Sequence, residues 1–318
     1  MWGGTLVNEV IFEMLPTTIV ERICQYSESV QNRIEEIRIR LERPLELVID
    51  GEPFYPNGYI VTKQDGLTLL NKLSDYSIYT LEEELKRGYI TIPGGHRVGL
   101  AGKVITEKGQ VKAIKDITSY NIRIAKEKVG IADPLTPYLY SGRWLNTIIY
   151  GPPQTGKTTL LRDMARIMST GSYDSNIPSF KVGIVDERSE IAGCVKGIPQ
   201  HQFGPRIDVL DACPKAEGMM MLIRSMSPDI LVVDEIGRLE DTEAILEAVN
   251  AGVALFISVH GSTTQDLYKR PSIKPLMDLQ VFDRFVELSR KYGPGTINTI
   301  RKNNDEVIFH KESRVSRS

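Results

Sequence analysis

The feature that most limits what this chain can fold into is the run Gly151-Pro152-Pro153-Gln154-Thr155-Gly156-Lys157-Thr158. It meets every defined position of the pattern G-x-x-x-x-G-K-[ST]. A short apolar stretch, 147–150, precedes it, and helical spacing over 158–168 follows. A glycine-rich turn between a strand and a helix makes a phosphate cradle. Small residues let backbone N–H groups curl around an anion, and the helix N-terminus adds a favourable dipole. Lys157 neutralises β and γ phosphate oxygens in such a loop, and the Thr158 hydroxyl coordinates Mg²⁺. The residues from Gly151 to Thr159 are therefore the expected binding segment for a nucleoside triphosphate, ATP with Mg²⁺.

The rest of the C-terminal half agrees with that start. Strands expected at 147–150, 181–185, 230–233 and 253–259 alternate with helices at 158–168, 215–226 and 239–251. This alternation calls for a parallel sheet covered on both faces. Short strands at 285–289, 296–301 and 306–310 follow, with Gly293-Pro294-Gly295 as a turn. The N-terminal half reads differently, as strands at 34–40, 45–49 and 59–61, a helix over 64–87, and a meander at 89–92, 96–103 and 111–114. The stretch 130–144, with two prolines and two glycines, reads as the boundary. The fold class expected is α/β: a P-loop NTPase (RecA-like) core with a parallel sheet, residues 141–318, preceded by a smaller mixed α+β N-terminal domain, residues 1–140. A length of 318 residues fits two domains at roughly 150 residues each.

Composition narrows the partners. Net charge is −2, and the charges are split evenly, 18 basic and 19 acidic in residues 1–145 against 21 and 22 in residues 146–318. Neither half has the bulk positive field that nucleic-acid binding uses, so no nucleic-acid partner is expected. Cys24, Cys194 and Cys213 show no paired spacing, which fits a reducing compartment. No apolar run approaches the about 20 residues of a membrane helix, and no signal peptide is readable, so the expected location is cytoplasmic.

Two acidic clusters follow expected strands. Asp229-Ile-Leu-Val-Val-Asp234-Glu235 delivers carboxylates at the C-terminal edge of a buried strand, where ligands bind in parallel sheets. Asp234 would join the Mg²⁺ shell, and Glu235 would polarise the attacking water. Val182-Gly-Ile-Val-Asp186-Glu187-Arg188-Ser-Glu190 offers Glu187 as a rival base, or an Asp–Arg salt-bridged turn with no catalytic part. His260 ends the fourth strand. A guanine-nucleotide reading, from Asp234-x-x-Gly237 and Thr62-Lys63-Gln64-Asp65, fails because the second motif precedes the phosphate loop.

Several blocks together resemble the stage III sporulation protein AA family, the ATPase of the mother-cell channel in endospore formers. They are residues 88–104, 117–125, 151–163, 182–193 and 208–238, with the motif GPGT at 293–296. That family is in turn similar to the ring ATPases of type II and type IV secretion and pilus assembly. The resemblance implies a homo-oligomer, a hexamer, seated at a membrane through embedded channel components. It gives weight to Glu235 and His260 and implies arginines supplied across a subunit boundary, for which Arg97 and Arg123 are the candidates. The chain departs from secretion ATPases in having Asp234-Glu235 where they usually show Gly-Glu. An ATP-binding scaffold with little turnover is the alternative function.

Overall fold

Strand β1 (Ile34–Arg40) shows why the N-terminal unit closes as it does. Its apolar residues Ile34, Ile37 and Ile39 are not strictly alternate, yet all three are buried. A register shift between Ile34 and Glu36 in the pairing with β2 (Glu46–Ile49) turns Ile34 onto the buried face. The sheet is antiparallel, in the order β3-β2-β1-β6-β5-β4, with β3 Glu52–Phe54, β4 Tyr89–Ile92, β5 His96–Glu107 and β6 Gln110–Arg123. Helices α1 (Thr5–Met14), α2 (Thr17–Ile23) and α4 (Lys63–Leu73) supply Ile11, Ile19, Ile23 and Leu69 to the core against it, and a short α3 (Glu28–Gln31) leads into β1.

This computed structural model describes residues 5–74, 85–86, 88–107, 109–125, 127–173 and 175–311, and it divides into two units, Met1–Lys126 and Glu127–Ser318. The helix expected over 64–87 starts at Lys63 and ends at Leu73; residues 75–84 and 87 lie outside the described set. The strand expected at 59–61 is a single bridge between Pro44 and Ile60. The segment Thr62–Asp65 is the N-terminal cap of α4. The Thr62 hydroxyl accepts from Asp65 N at 3.1 Å, and the Asp65 carboxylate accepts from Thr62 N at 2.8 Å. That reciprocal pair explains these residues without a guanine.

In the second unit, β7 (Thr147–Gly151), β8 (Val182–Asp186) and β10 (Ile230–Val233) are buried along their whole length, and β11 (Ala254–His260) is buried between its ends. Such continuous apolar strands need cover on both faces. The order is β14-β13-β12-β7-β11-β10-β8-β9, in which β12 (Arg284–Ser289) through β9 (Ile207–Asp211) are parallel. β13 (Thr296–Lys302) and β14 (Val307–His310) extend it antiparallel. After a short α5 (Thr136–Leu139), helix α6 (Lys157–Thr170) packs on one face with Ala132, Leu139 and Trp144. Helices α7 (Lys215–Ser225) and α8 (Leu239–Asn250) cover the other, followed by α9 (Thr264–Tyr268) and α10 (Lys274–Asp278). Gly218 permits the close approach of α7 to β8, since a Cβ there would lie 2.5 Å from Val185 Cγ1. The division expected at residue 140 falls within a segment whose apolar side chains belong to the second core.

His96, at the start of β5, is buried, and its Nδ1 accepts from Ala125 N at 3.0 Å. Burial lowers the imidazole from 6.5 to about 4. The neutral ring is the form that the fold favours. Its stabilising contribution is complete above about 6.5 and is lost as the pH falls through about 4. Urea midpoints measured across that window should therefore decline more steeply for the wild type than for His96→Gln.

Candidate functional site

β7 ends at Gly151 and the chain turns within five residues into α6. Gln154 and Gly156 carry φ values of 60° and 91°, which produce the reversal. A Cβ at Gly156 would sit 3.1 Å from Gly295 N, and that amide donates to Thr155 O at 2.8 Å. The first N–H groups of α6 have no carbonyl ahead of them in the helix. With the positive end of the helix dipole they form a concave set of donors suited to an anion.

Lys157 is buried and folds back over the loop. Its Nζ donates to Gly151 O and Pro152 O at 3.0 Å each and to His260 Nδ1 at 3.2 Å. Those bonds use all three ammonium protons. Because Nδ1 accepts, the neutral ring of His260 carries its proton on Nε2, which lies 2.9 Å from Glu235 Oε1. Glu235 Oε2 accepts from Arg188 Nη1 at 2.7 Å. A continuous chain Lys157–His260–Glu235–Arg188 thus crosses the sheet edge from the β7 loop to the turn after β8. Burial holds the Lys157 ammonium below its ordinary value, against the opposing pull of Asp234 and Glu235.

Asp234, just past β10, accepts from Thr158 Oγ1 at 2.5 Å through one oxygen and from the Ser258 hydroxyl through the other. Ser258 Oγ also accepts from Glu235 N at 2.9 Å, which helps hold Glu235 at its left-handed φ of 55°. A hydroxyl and a carboxylate meeting from two elements are hard oxygen donors, and they fit Mg²⁺. That ion keeps several waters and takes only one or two protein carboxylates alongside phosphates. Among the described residues no group of three or more His, Cys, Asp or Glu is placed to hold a metal on its own.

The acidic turn after β8 is differently engaged. Buried Asp186 accepts from Glu190 N, Ile191 N and Ala192 N at 2.8, 2.9 and 2.8 Å. Burial, aided by the Asp211 charge, pushes its carboxyl up to about 6 although the three N–H donors act the other way. Glu187 pairs with Lys215 at the start of α7. The salt-bridged turn expected between Asp186 and Arg188 is not formed, because Arg188 reaches Glu235 instead. Arg162, from α6, braces the turn by donating to Ile191 O at 2.7 Å and Glu190 O at 2.6 Å. Asp186, Glu187, Arg188, Asp234 and Glu235 line one crevice.

The structure therefore gathers the loop residues, Lys157, Thr158, Asp234, Glu235, His260 and Glu187 at one sheet edge. Arg97 and Arg123 stand in the first unit, directly opposite each other on β5 and β6. Arg97 stacks its guanidinium 3.6 Å from the Tyr89 ring centroid, and Arg123 pairs with Glu36 at 3.2 Å. Sequence reading missed Ser258, Arg162 and Lys215. Ser258 carried a signal, being the polar residue inside the apolar run of β11.

A parallel sheet with a phosphate loop after β7 and an acidic strand end on β10 defines a P-loop NTPase core. The fold is similar to that of the Legionella pneumophila ATPase DotB, with 17% identity and a TM-score of 0.58 over 86% of this chain and 77% of that one. The pilus retraction motor PilT, solved with bound ADP, is similar at 15% identity and a TM-score of 0.58, covering 85% and 76% of the two chains. The family described as Sporulation stage III, protein AA, matches residues 7–308. Stage III sporulation protein AA of Bacillus subtilis (strain 168) is 59% identical over 302 residues, which is 95% of this chain and 97% of that one. The chain belongs to this family.

Ser258→Ala leaves the Glu235 amide and one Asp234 oxygen without their partner at a largely buried edge. It should cost about 1–3 kcal/mol of stability, and Ser258→Thr, which keeps the hydroxyl, should cost less. Urea denaturation of the three proteins at one pH checks this.

Proposed function

We propose that the second unit binds ATP with Mg²⁺ and hydrolyses it. In this reading the protein works as a hexameric ring that drives assembly of, or transport through, the mother-cell-to-forespore channel during endospore formation. The observation that carries the hydrolytic part is the chain from Lys157 through His260 to Glu235 beside the Thr158–Asp234 pair. The family and the secretion-ATPase fold support the cellular part.

Lys157 exchanges its two carbonyl acceptors for phosphate oxygens, since its ammonium is drawn more strongly to an ionised oxyanion than to a neutral carbonyl. Thr158, through its hydroxyl, and Asp234, through water, would hold Mg²⁺, which would supply charge neutralisation at the phosphates. Glu235 orients the attacking water and takes its proton, while His260, released by Lys157, faces the γ end. Arg188 holds Glu235 in place until the water arrives. Glu235 is preferred over Glu187 as the base because Glu187 is committed to Lys215 and does not join the chain to Lys157.

Arg97 and Arg123 are proposed to complete a neighbouring subunit's site, where such an arginine is worth roughly 10³–10⁵ in rate. Hydrolysis would move the N-terminal units against the cores. The protein is proposed to sit in the cytoplasm against membrane-embedded channel components. Among the described residues no helix is long and apolar enough to cross a membrane.

The test is ATP hydrolysis by purified protein across a concentration series, with mass in solution followed in parallel. Turnover should rise with oligomerisation, fall about 10²–10⁴-fold in Glu235→Gln, and vanish in Lys157→Ala. A Glu235→Gln variant that turns over normally would remove Glu235 as the base. Tight binding without turnover in the assembled ring would favour an ATP-binding scaffold.

A further inference from the structure

The motif Gly293-Pro294-Gly295-Thr296 has no part in the hydrolytic arrangement, yet it touches the phosphate loop. β12 lies parallel to β7, on the side away from β11 and β10. The loop from β12 to β13 therefore emerges at the same sheet edge as the phosphate loop, on its other flank. Both ends of that loop are tied down. Arg290 Nε donates to Gln154 O at 3.3 Å and its Nη2 donates to Gln154 Oε1. Gly295 N donates to Thr155 O at 2.8 Å. Within the loop, Gly293 N donates to Arg290 O at 3.0 Å and Thr296 Oγ1 donates to Gly293 O at 2.8 Å. Gly293 and Gly295 adopt φ values of 99° and 85°, which L side chains rarely reach.

At the crown of this loop stands Tyr292, 49% exposed. Lys291 Nζ and Lys311 Nζ lie 5.4 and 5.2 Å from its ring centroid. An isolated surface tyrosine needs no explanation. This one is different in being mounted on a loop bonded at both ends to residues 154 and 155, and in having two cations over its ring.

The direction of a bound nucleotide follows from the sheet order. The carboxylates, His260 and Arg188 all lie on the β11–β10–β8 side of the phosphate loop, so the γ end points there. The ribose and base then leave on the opposite side, toward β12. We propose that the loop 290–295 walls the nucleobase end of the site, with Tyr292 as the platform on which a purine stacks. This rests on the nucleotide reading above. The two ammonium groups stand over the ring, so a stacking base would take the place of one of them, and their charge suits an aromatic base carried on an anion.

The test compares MgATP with magnesium tripolyphosphate, which has the phosphates but no base, by calorimetric titration of the full chain. Tyr292→Ala should weaken MgATP about tenfold or more while leaving tripolyphosphate within about twofold, and Tyr292→Phe should bind both as the wild type does. Unchanged MgATP affinity in Tyr292→Ala would overturn the proposal. So would equal weakening of both ligands, which would place the loop's effect on the phosphate cradle. Lys157→Ala separates the two readings. If it loses both ligands while Tyr292→Ala is silent, the nucleotide site stands and the platform falls. A wild type that binds neither ligand removes both.

Discussion

Parallel strands buried on both faces leave the chain little choice about where its polar chemistry can go. β7, β11, β10 and β8 have no wet face, so each can place a charged group only at its ends. Because they run the same way, the groups following them meet at one edge. Gly151 is in register with His260, and Val233 is in register with both Ile257 and Val185. Asp186, Asp234 and His260 are neighbours for that reason, although 74 residues separate the first from the last. The phosphate loop opens onto the same edge because β7 points there too.

Convergence brings its own cost, since a half-buried carboxylate or ammonium without a partner is expensive. The structure meets it locally. Lys157 spends its protons on two carbonyls and an imidazole. Asp234 has a hydroxyl on each oxygen. Asp186 is held by three consecutive turn amides, and the turn itself is braced by Arg162. Ser258 shows how economical this is, serving Asp234 with its proton and Glu235 N with its lone pair.

Much of this arrangement could be read from the sequence. Where a strand is a continuous apolar run between breakers, as in Ile230–Val233, periodicity and length sufficed, and the phosphate loop announced itself. What stayed hidden depended on distance along the chain. Arg188 lies two residues from Asp186, and proximity suggested that pair, but the partner is Glu235, 47 positions on. The strand Ile207–Asp211 was invisible because, as an edge strand with two aspartates and only partial burial, it reads as a loop. The segment 130–144 carries the prolines and glycines of a linker, yet Ala132, Leu135, Leu139 and Trp144 are buried in the second core. Composition reports local stiffness; it does not report which core receives the apolar side chains.

The chain of contacts from Lys157 to Arg188 can also be viewed as a sum of charges. Lys157 and Arg188 are balanced by Asp234 and Glu235, and Lys215 is balanced by Glu187. The charges of these contacts thus nearly cancel. Within this chain of contacts each cation already has an opposing carboxylate. A net anionic guest must either draw these cations away from carboxylates that then need new partners, or be met by cations from outside this chain of contacts. In either case its arrival disturbs contacts on β7, β8, β10 and β11 together, so occupancy is a property that the whole edge registers at once.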